Sequence, residues 1–272
     1  MTGTGTDIVR EHYGTRPLCE MIAQALDQLG CARPGWKELA ALDQFHVRGL
    51  AATKDLALGL APAADDHVLD VGCGLGGPAR YLAATTGCRV TGIDLSVPFV
   101  EAARLLTDRS GLDGRVTIRV ADALDLPFGD KTFDHAWTQH VAMNIADRAG
   151  FYGEIHRVLK PGGRLAIYDV IAGDGGDVIY PVPWADRPEI SFLVTLEAMR
   201  SALTGAGFEE ISVEDVTESA IDWFGRQKAG GPPPSLALPL VMGAGFPAMT
   251  ANLRRNLAEG RIRMVQAMVR RV

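Results

Sequence analysis

The chain has 272 residues, of which 47% are hydrophobic and 22% charged, and its net charge at pH 7 is −6. These values are typical of a soluble enzyme built on one sizeable α/β domain with additions. The acidic balance argues against binding to the phosphate backbone of nucleic acids. No apolar run is long enough to predict a membrane span.

Two further features concern the compartment. Residues 1–6 are rich in glycine and threonine and lack the charged and apolar parts of a signal peptide. The four cysteines, at positions 19, 31, 73 and 88, form no C-x-x-C pair and no zinc-like spacing with histidine. We therefore expect a reduced, cytoplasmic protein without a bound metal.

The first 62 residues are predicted to form a helical cap. An apolar stripe over 17–30 starts at a proline and stops at a glycine, which is typical of a helix. A second helix is predicted from about 46 to 60. The intervening stretch, 36–45, has an aromatic residue at each end and is predicted to be irregular.

From residue 63 the chain alternates between strand-like and helix-like runs, which indicates a Rossmann-like, doubly wound α/β sheet. Strands are predicted at 67–71, 89–94, 116–122, 133–139 and 164–171, with a further strand at 209–216 and a last one at 261–272. Helices are predicted at 78–86, 96–110, 147–159 and 195–204. We assign 63–219 and 261–272 to the sheet domain, and 220–260 to a cap insertion before the last strand.

The most informative segment is 68–77, in which an apolar strand passes through Asp70 into a glycine-rich turn. Glycine leaves the backbone bare, so a ligand can approach it closely. Two patterns fit this turn. G-x-G-x-x-G over 72–77 is typical of dinucleotide-binding folds, whereas 72–76 fits the tighter G-x-G-x-G. The turn alone does not choose between these cofactors.

Three acidic residues help to distinguish a dinucleotide from other nucleotide-type cofactors. Asp70 precedes the turn, where it can attract a cationic amine, a group that NAD lacks. Asp94 ends the second predicted strand at the spacing of a ribose-binding carboxylate. Asp122 ends the third, where it can accept a hydrogen bond from an adenine amino group. Carboxylates aimed at amine, ribose and adenine suit S-adenosylmethionine.

With these residues the sequence resembles the class I S-adenosylmethionine-dependent methyltransferases over 45–172. Within that class it is similar to the branch of ubiquinone/menaquinone C-methyltransferases and sarcosine/dimethylglycine N-methyltransferases. The motifs that carry the resemblance are at 70–76, 92–96, 121–123, 137–140 and 157–163. The resemblance implies seven strands with the last one antiparallel. It also implies contacts to the methionine part from Asp70, Gly72, Gly74 and Gln139, to the ribose from Asp94, and to adenine from Leu95, Asp122 and Ala123.

Two histidines are candidate catalytic bases, because many methyl acceptors must lose a proton. His140 directly follows the fourth predicted strand, at the edge of the sheet where ligands bind. A role in orienting the loop is an equal alternative. His46 precedes the second predicted helix and could face the cofactor, although a helix-start or packing role is also consistent with its position.

Three aromatic residues are candidates for the substrate pocket. Tyr13 lies in a segment that could fold over the cofactor, Tyr168 is near the end of the fifth strand, and Trp184 follows in a proline-rich loop. The uncharged, apolar stretch 236–249 of the insertion favours an apolar or aromatic small molecule over a small polar amino acid.

We therefore expect methyl transfer to carbon or oxygen of a small molecule, with N-methylation of a small amine as an alternative. A nicotinamide-dependent oxidoreductase and a non-methylating scaffold that binds S-adenosylmethionine are alternatives of another class. A homodimer is compatible with the apolar insertion.

Overall fold

The computed structural model describes residues 17–226 and 236–272. Seven strands of these ranges form one sheet: β1 (His67–Val71), β2 (Arg89–Asp94), β3 (Val116–Val120), β4 (Phe133–Gln139), β5 (Leu159–Ala172), β6 (Phe208–Asp215) and β7 (Ile262–Arg271). Their order is β3-β2-β1-β4-β5-β7-β6. Strand β7 is antiparallel to both of its neighbours. The predicted Rossmann-like sheet with an antiparallel last strand is confirmed.

Ten α-helices of the described residues surround this sheet. They are α1 (Leu18–Gln28), α2 (Trp36–Asp43), α3 (Leu50–Leu60), α4 (Gly77–Thr86), α5 (Val97–Arg109), α6 (Arg148–Val158), α7 (Leu196–Gly205), α8 (Thr217–Arg226), α9 (Leu238–Met242) and α10 (Phe246–Ala258). No helix within residues 17–226 and 236–272 is long and apolar enough to span a membrane.

The sheet is covered on both faces because successive side chains of a strand point in opposite directions. In β1, Val68 packs with Leu56 of α3 and Leu82 of α4 on one face. Its neighbour Leu69 packs with Phe151 of α6 on the other face. Helices on both sides leave the carboxyl edge of β1–β5 as the place where a ligand can bind.

The N-terminal region differs from its predicted structure in two respects. The stretch predicted to be irregular contains helix α2, whose Leu39 and Leu42 are buried against α1 and α5. The helix predicted from residue 46 begins only at Leu50. Arg48 and Gly49 have φ angles of 66° and 48°, in the left-handed region that a right-handed helix excludes. Residues 44–49 therefore form a turn that projects toward the sheet edge.

The N-terminal helices and the insertion pack against each other. Leu236 and Val241 join the apolar cluster that contains Leu18, Leu26 and Leu39. Two segments separated by about two hundred residues of sequence thus share one core, as a common cap requires. The domain boundaries at 62, 219 and 260 remain a prediction.

A buried ion pair attaches the cap to the glycine turn. Arg80 of α4 donates from Nη2 to Asp43 Oδ2 at 2.7 Å, and both side chains are almost inaccessible to solvent. A Cβ on Gly77 would lie 2.5 Å from the Asp43 carboxylate, so this contact requires glycine. The pair holds the start of the 44–49 turn beside the carboxyl end of β1.

Candidate active site

The glycine turn is held open by hydrogen bonds to the next strand. The amides of Gly72 and Cys73 both donate to the Ile93 carbonyl at 2.8 Å. Gly72 has a φ angle of 74°, and a Cβ there would lie 2.3 Å from the Val141 side chain. Any other residue at position 72 would therefore be strained and would clash. Bare backbone is presented at the edge of the sheet.

Asp94 ends β2, whereas Asp122 lies two residues after the end of β3, which stops at Val120 and not at the predicted residue 122. Both carboxylates organise the backbone around them. Asp94 accepts hydrogen bonds from the Gly74 amide through Oδ2 and from the Ser96 amide through Oδ1, each at 2.9 Å. Asp122 accepts from the Leu124 amide at 2.9 Å. Each carboxylate oxygen retains a second lone pair that can accept from a ligand.

Asp70 is a buried carboxylate, and one of its oxygens lacks a hydrogen-bond partner within residues 17–226 and 236–272. Its Oδ2 is inaccessible to solvent and has no hydrogen-bond partner among the described residues. Burial raises the pKa of Asp70 to about 7, and the negative charge of Asp94 adds to this rise. The indole of Trp137 acts in the other direction and lowers the pKa of Asp70. A cation placed beside Asp70 would supply the missing partner and return the carboxyl to its charged form.

A cavity of about 960 Å³ opens at this edge of the sheet. The eight predicted cofactor-binding residues all line it: Asp70, Gly72, Gly74, Asp94, Leu95, Asp122, Ala123 and Gln139. Aromatic and apolar residues of the cap and of the segment that follows β5 also line it, namely Phe45, Trp184, Phe192, Trp223, Phe224, Leu238, Met242 and Phe246. One continuous space therefore joins the glycine turn to an apolar surface.

The structure brings both candidate histidines to the wall of this cavity. Their ring centres are 6.0 Å apart. Burial lowers the pKa of His46 to about 4, a decrease that the nearby Arg48 reinforces and the bond to the Gly49 carbonyl opposes. Burial also holds the pKa of His140 well below its usual value, and His46 contributes to this. Both imidazoles are therefore neutral near pH 7.

His140 is held in an uncommon backbone conformation. Its φ angle is 56°, and its amide donates to the Tyr168 carbonyl at 2.8 Å. The His140 ring stacks on the Tyr168 ring with centres 5.2 Å apart. Its Nε2 is buried without a hydrogen-bond partner in the described part of the chain. Such residues concentrate at functional sites.

The three aromatic residues predicted to lie in the substrate pocket differ in their positions. Trp184 lines the cavity, and its indole donates to Ser191 at 3.0 Å. Tyr168 does not line the cavity but supports His140 from behind, because β5 places its ring in the core under that loop. This corrects its predicted place in the pocket. Tyr13 lies outside the described residues.

Sequence reasoning missed Phe45, which lines the cavity, and Thr53, which contacts lining residues without lining the cavity itself. Phe45, whose ring centre is 5.6 Å from that of Phe99, lies 3.8 Å from the position of a Cβ on Gly74. Thr53 is buried on the apolar stripe of α3, three and seven residues before Leu56 and Leu60. A hydroxyl on the apolar stripe of a helix can be recognised from the sequence alone. It indicates a buried hydrogen-bond contact, because a buried polar group needs partners.

Comparison with known proteins agrees with this geometry. Residues 69–167 match the model of a methyltransferase domain family. The O-methyltransferase cnsE of Penicillium expansum is 34% identical over 192 residues, which cover 68% of this chain and 67% of that protein. The chain belongs to the S-adenosylmethionine-dependent small-molecule methyltransferases.

Two further proteins are similar to this chain, the second of them in fold. A sarcosine/dimethylglycine N-methyltransferase of Halorhodospira halochloris is 35% identical, over 60% of this chain and 58% of its own length. A solved structure of geranyl diphosphate methyltransferase with GPP and sinefungin has a TM-score of 0.71 at 20% identity, covering 98% of this chain and 99% of that one. The chain spans only 49% and 45% of two other curated relatives that it matches.

The residues of the cavity fit S-adenosylmethionine, the cofactor of this methyltransferase. The unpartnered Asp70 oxygen suits its ammonium group, and the buried, unpartnered Nε2 of Gln139 is a donor for a polar group of the methionine part. NAD carries no ammonium group that would satisfy Asp70, so the dinucleotide interpretation of the turn is wrong for this family member.

Proposed function

We propose that this methyltransferase methylates a carbon or oxygen atom of an apolar or aromatic small molecule held between the glycine turn and the cap. The observation that carries the proposal is the apolar wall of the cavity, formed by Trp184, Phe192, Trp223 and Phe246. Such a wall favours ligands with apolar surface. Arg48 is paired with Asp55, and Arg254 lies over the Phe224 ring, so neither is an isolated charge.

On the donor side we propose one role for each predicted residue. Asp70 pairs with the ammonium group, while Gly72, Gly74 and Gln139 contact the remaining methionine part. Asp94 accepts from the ribose hydroxyls. Leu95, Asp122 and the Ala123 amide contact adenine. The unpartnered Asp70 oxygen and the lining of the cavity support these assignments.

When bound, S-adenosylmethionine supplies a methyl group that its positive sulfur already activates. The protein then has to align the acceptor atom, exclude water and remove a proton. The residues of the cap that line the cavity are placed to perform the first two tasks. We propose that His46 and His140 perform the third, because both are neutral imidazoles on the cavity wall at neutral pH.

The acceptor class can be tested with Phe246→Ala. Loss of a cavity-lining ring should raise the KM for an apolar acceptor about tenfold, since burial of one large side chain contributes about 1.5–3 kcal/mol. The Kd for S-adenosylmethionine should not change. The matched control is Met249→Ala on the same helix, a residue that does not line the cavity.

The measurement is transfer of a labelled methyl group to a panel of phenols, quinols, prenyl compounds and small amines, with the methylated atom located by mass and NMR. Turnover of sarcosine or dimethylglycine alone, without a response to Phe246→Ala, would favour N-methylation. Cofactor binding without transfer to any class would favour the non-methylating scaffold.

Replacement of either cavity histidine should affect turnover and not cofactor affinity. We expect His140→Ala and His46→Ala to lower kcat by about 10²-fold or more, the usual range for loss of a general base. The control is His156→Ala, a histidine of α6 that does not line the cavity. An unchanged kcat across pH 5–9 in His140→Ala would assign His140 to loop structure.

A further inference from the structure

The hydroxyl group of Thr53 contacts three polar side chains beside the cavity. Thr53 is fully buried in α3. Its hydroxyl oxygen lies 2.6 Å from Gln44 Oε1, 2.9 Å from His46 Nε2 and 3.3 Å from Gln139 Oε1. The hydroxyl thus contacts the cofactor-side Gln139 and the acceptor-side His46 at the same time.

The single proton of the Thr53 hydroxyl determines which atom donates in each of these three contacts. A threonine hydroxyl has one proton, and the shortest of the three contacts assigns it to Gln44. The Thr53 oxygen can then only accept from His46. A second acceptor, the Gly49 carbonyl, lies 2.9 Å from the same ring nitrogen. Two acceptors at Nε2 require that Nε2 carries the proton of the neutral ring.

The other ring nitrogen of His46 is therefore left with a lone pair. No residue of the described chain forms a hydrogen bond with this Nδ1, and the ring lines the cavity. The groups that face His46 are Arg48 on its own turn, His140 after β4, and Tyr168 in β5. None of them is a carboxylate, so no partner keeps Nδ1 protonated.

We propose that Thr53 is a positioning residue that holds His46 in the Nε2–H tautomer, so that Nδ1 is the nitrogen that takes the proton of the methyl acceptor. This inference rests on the proposed methylation of a carbon or oxygen atom. Nδ1 binds the proton, the electron pair left on the acceptor forms the new bond to the methyl carbon, and the electrons of the broken carbon–sulfur bond remain on sulfur.

The test combines nitrogen NMR of ¹⁵N-histidine-labelled protein with turnover. In the unchanged protein, His46 should show a protonated Nε2 and an unprotonated Nδ1. Thr53→Val, which is similar in shape, removes one of the two acceptors at Nε2 and keeps the Gly49 carbonyl, so the fraction of the Nδ1–H tautomer should rise. We expect kcat to fall about tenfold, with the Kd for S-adenosylmethionine changed less than threefold. Thr53→Ser keeps the hydroxyl and should behave like the unchanged protein.

The chain offers a matched control in a second threonine–histidine pair. Thr91 Oγ1 lies 2.8 Å from His67 Nε2, between β1 and β2 and away from the cavity. Thr91→Val should alter the His67 signals and leave turnover unchanged. A variant that merely loses one buried hydrogen bond would resemble Thr91→Val, whereas a positioning role predicts the loss of kcat only at Thr53.

A second variant keeps the test informative if Thr53→Val fails to fold. Gln44→Met removes the acceptor of the Thr53 proton, so the hydroxyl can donate to Nε2 and compete with the Gly49 carbonyl, which favours a protonated Nε2. The fraction of the Nδ1–H tautomer should therefore rise. An unchanged His46 tautomer in both variants, or Nδ1–H in the unchanged protein, would overturn the inference. Because the NMR signals do not require methyl transfer, failure of the proposed function would be recognised separately, as the predicted tautomer without any turnover.

Discussion

Asp94→Ala is expected to weaken S-adenosylmethionine binding by about 10²- to 10⁴-fold. A hydrogen bond to a charged group contributes roughly 1.5–3 kcal/mol, and we assign two ribose hydroxyls to this carboxylate. The change also removes the acceptor of the Gly74 and Ser96 amides, which shape the turn. Isothermal titration calorimetry gives the affinity directly.

Two controls separate ribose binding from a general loss of structure. Asp125→Ala removes a nearby carboxylate that does not line the cavity and should bind the cofactor normally. Asp94→Asn keeps an acceptor for the backbone and should show an intermediate loss. Titration with NAD should show no binding in any variant. Unchanged affinity for S-adenosylmethionine in Asp94→Ala would remove Asp94 from the site.

The affinity for S-adenosylmethionine should rise with pH between about 5.5 and 7, and Asp70→Asn should abolish this rise. In the free protein the pKa of Asp70 is about 7, so at lower pH the carboxyl is mostly neutral. Binding a cation then requires loss of its proton, and the affinity should approach a tenfold change per pH unit. At pH 8, Asp70→Asn should bind at least tenfold more weakly, because the charge–charge attraction is gone.

Proton release provides an independent measurement. Calorimetry at pH 6.5 in two buffers with different ionisation enthalpies should show release on binding to the unchanged protein and none with Asp70→Asn. Affinity that is independent of pH in the unchanged protein would contradict the assigned role of Asp70.

The Asp70 carboxyl should also affect the folding stability of the cofactor-free protein. Here the expected change is a decrease as the pH rises, whereas the affinity for S-adenosylmethionine increases. The pKa of Asp70 rises from 3.8 to about 7 on folding, so the folded chain holds a proton that the unfolded chain releases. Stability of the cofactor-free protein is therefore lost as pH rises from about 4 to 7. Asp70→Asn should raise the Tm at pH 8 and have little effect at pH 4.

The central strands could be predicted from the sequence almost to the residue. The runs predicted at 67–71, 89–94 and 133–139 are the observed β1, β2 and β4. Each is a short apolar segment that ends at a polar or glycine-rich turn, and such local signals survive in the fold. β5 begins five residues earlier than predicted, at Leu159, because pairing of Leu159 with Phe133 of β4 extends it.

That the residues at the strand ends share one side of the cavity could be predicted for the same reason. Parallel strands bring their carboxyl ends to one edge, so residues that follow β1, β2, β3 and β4 must lie near one another. The acceptor side could not. Phe45, Phe192 and Trp223 come from segments far apart in sequence, and only tertiary packing brings them to one cavity.

The sequence by itself determined the sheet, the glycine turn and the positions of Asp70, Asp94 and Asp122, because these depend on local periodicity and on the edge that parallel strands share. The tertiary structure alone decided that residues 44–49 form a turn with positive φ angles at Arg48 and Gly49. It also decided that Tyr168 supports His140 instead of lining the pocket, and that Thr53 contacts His46. These features depend on contacts between segments far apart in sequence, such as the buried Asp43–Arg80 pair, whose partners no local pattern reveals.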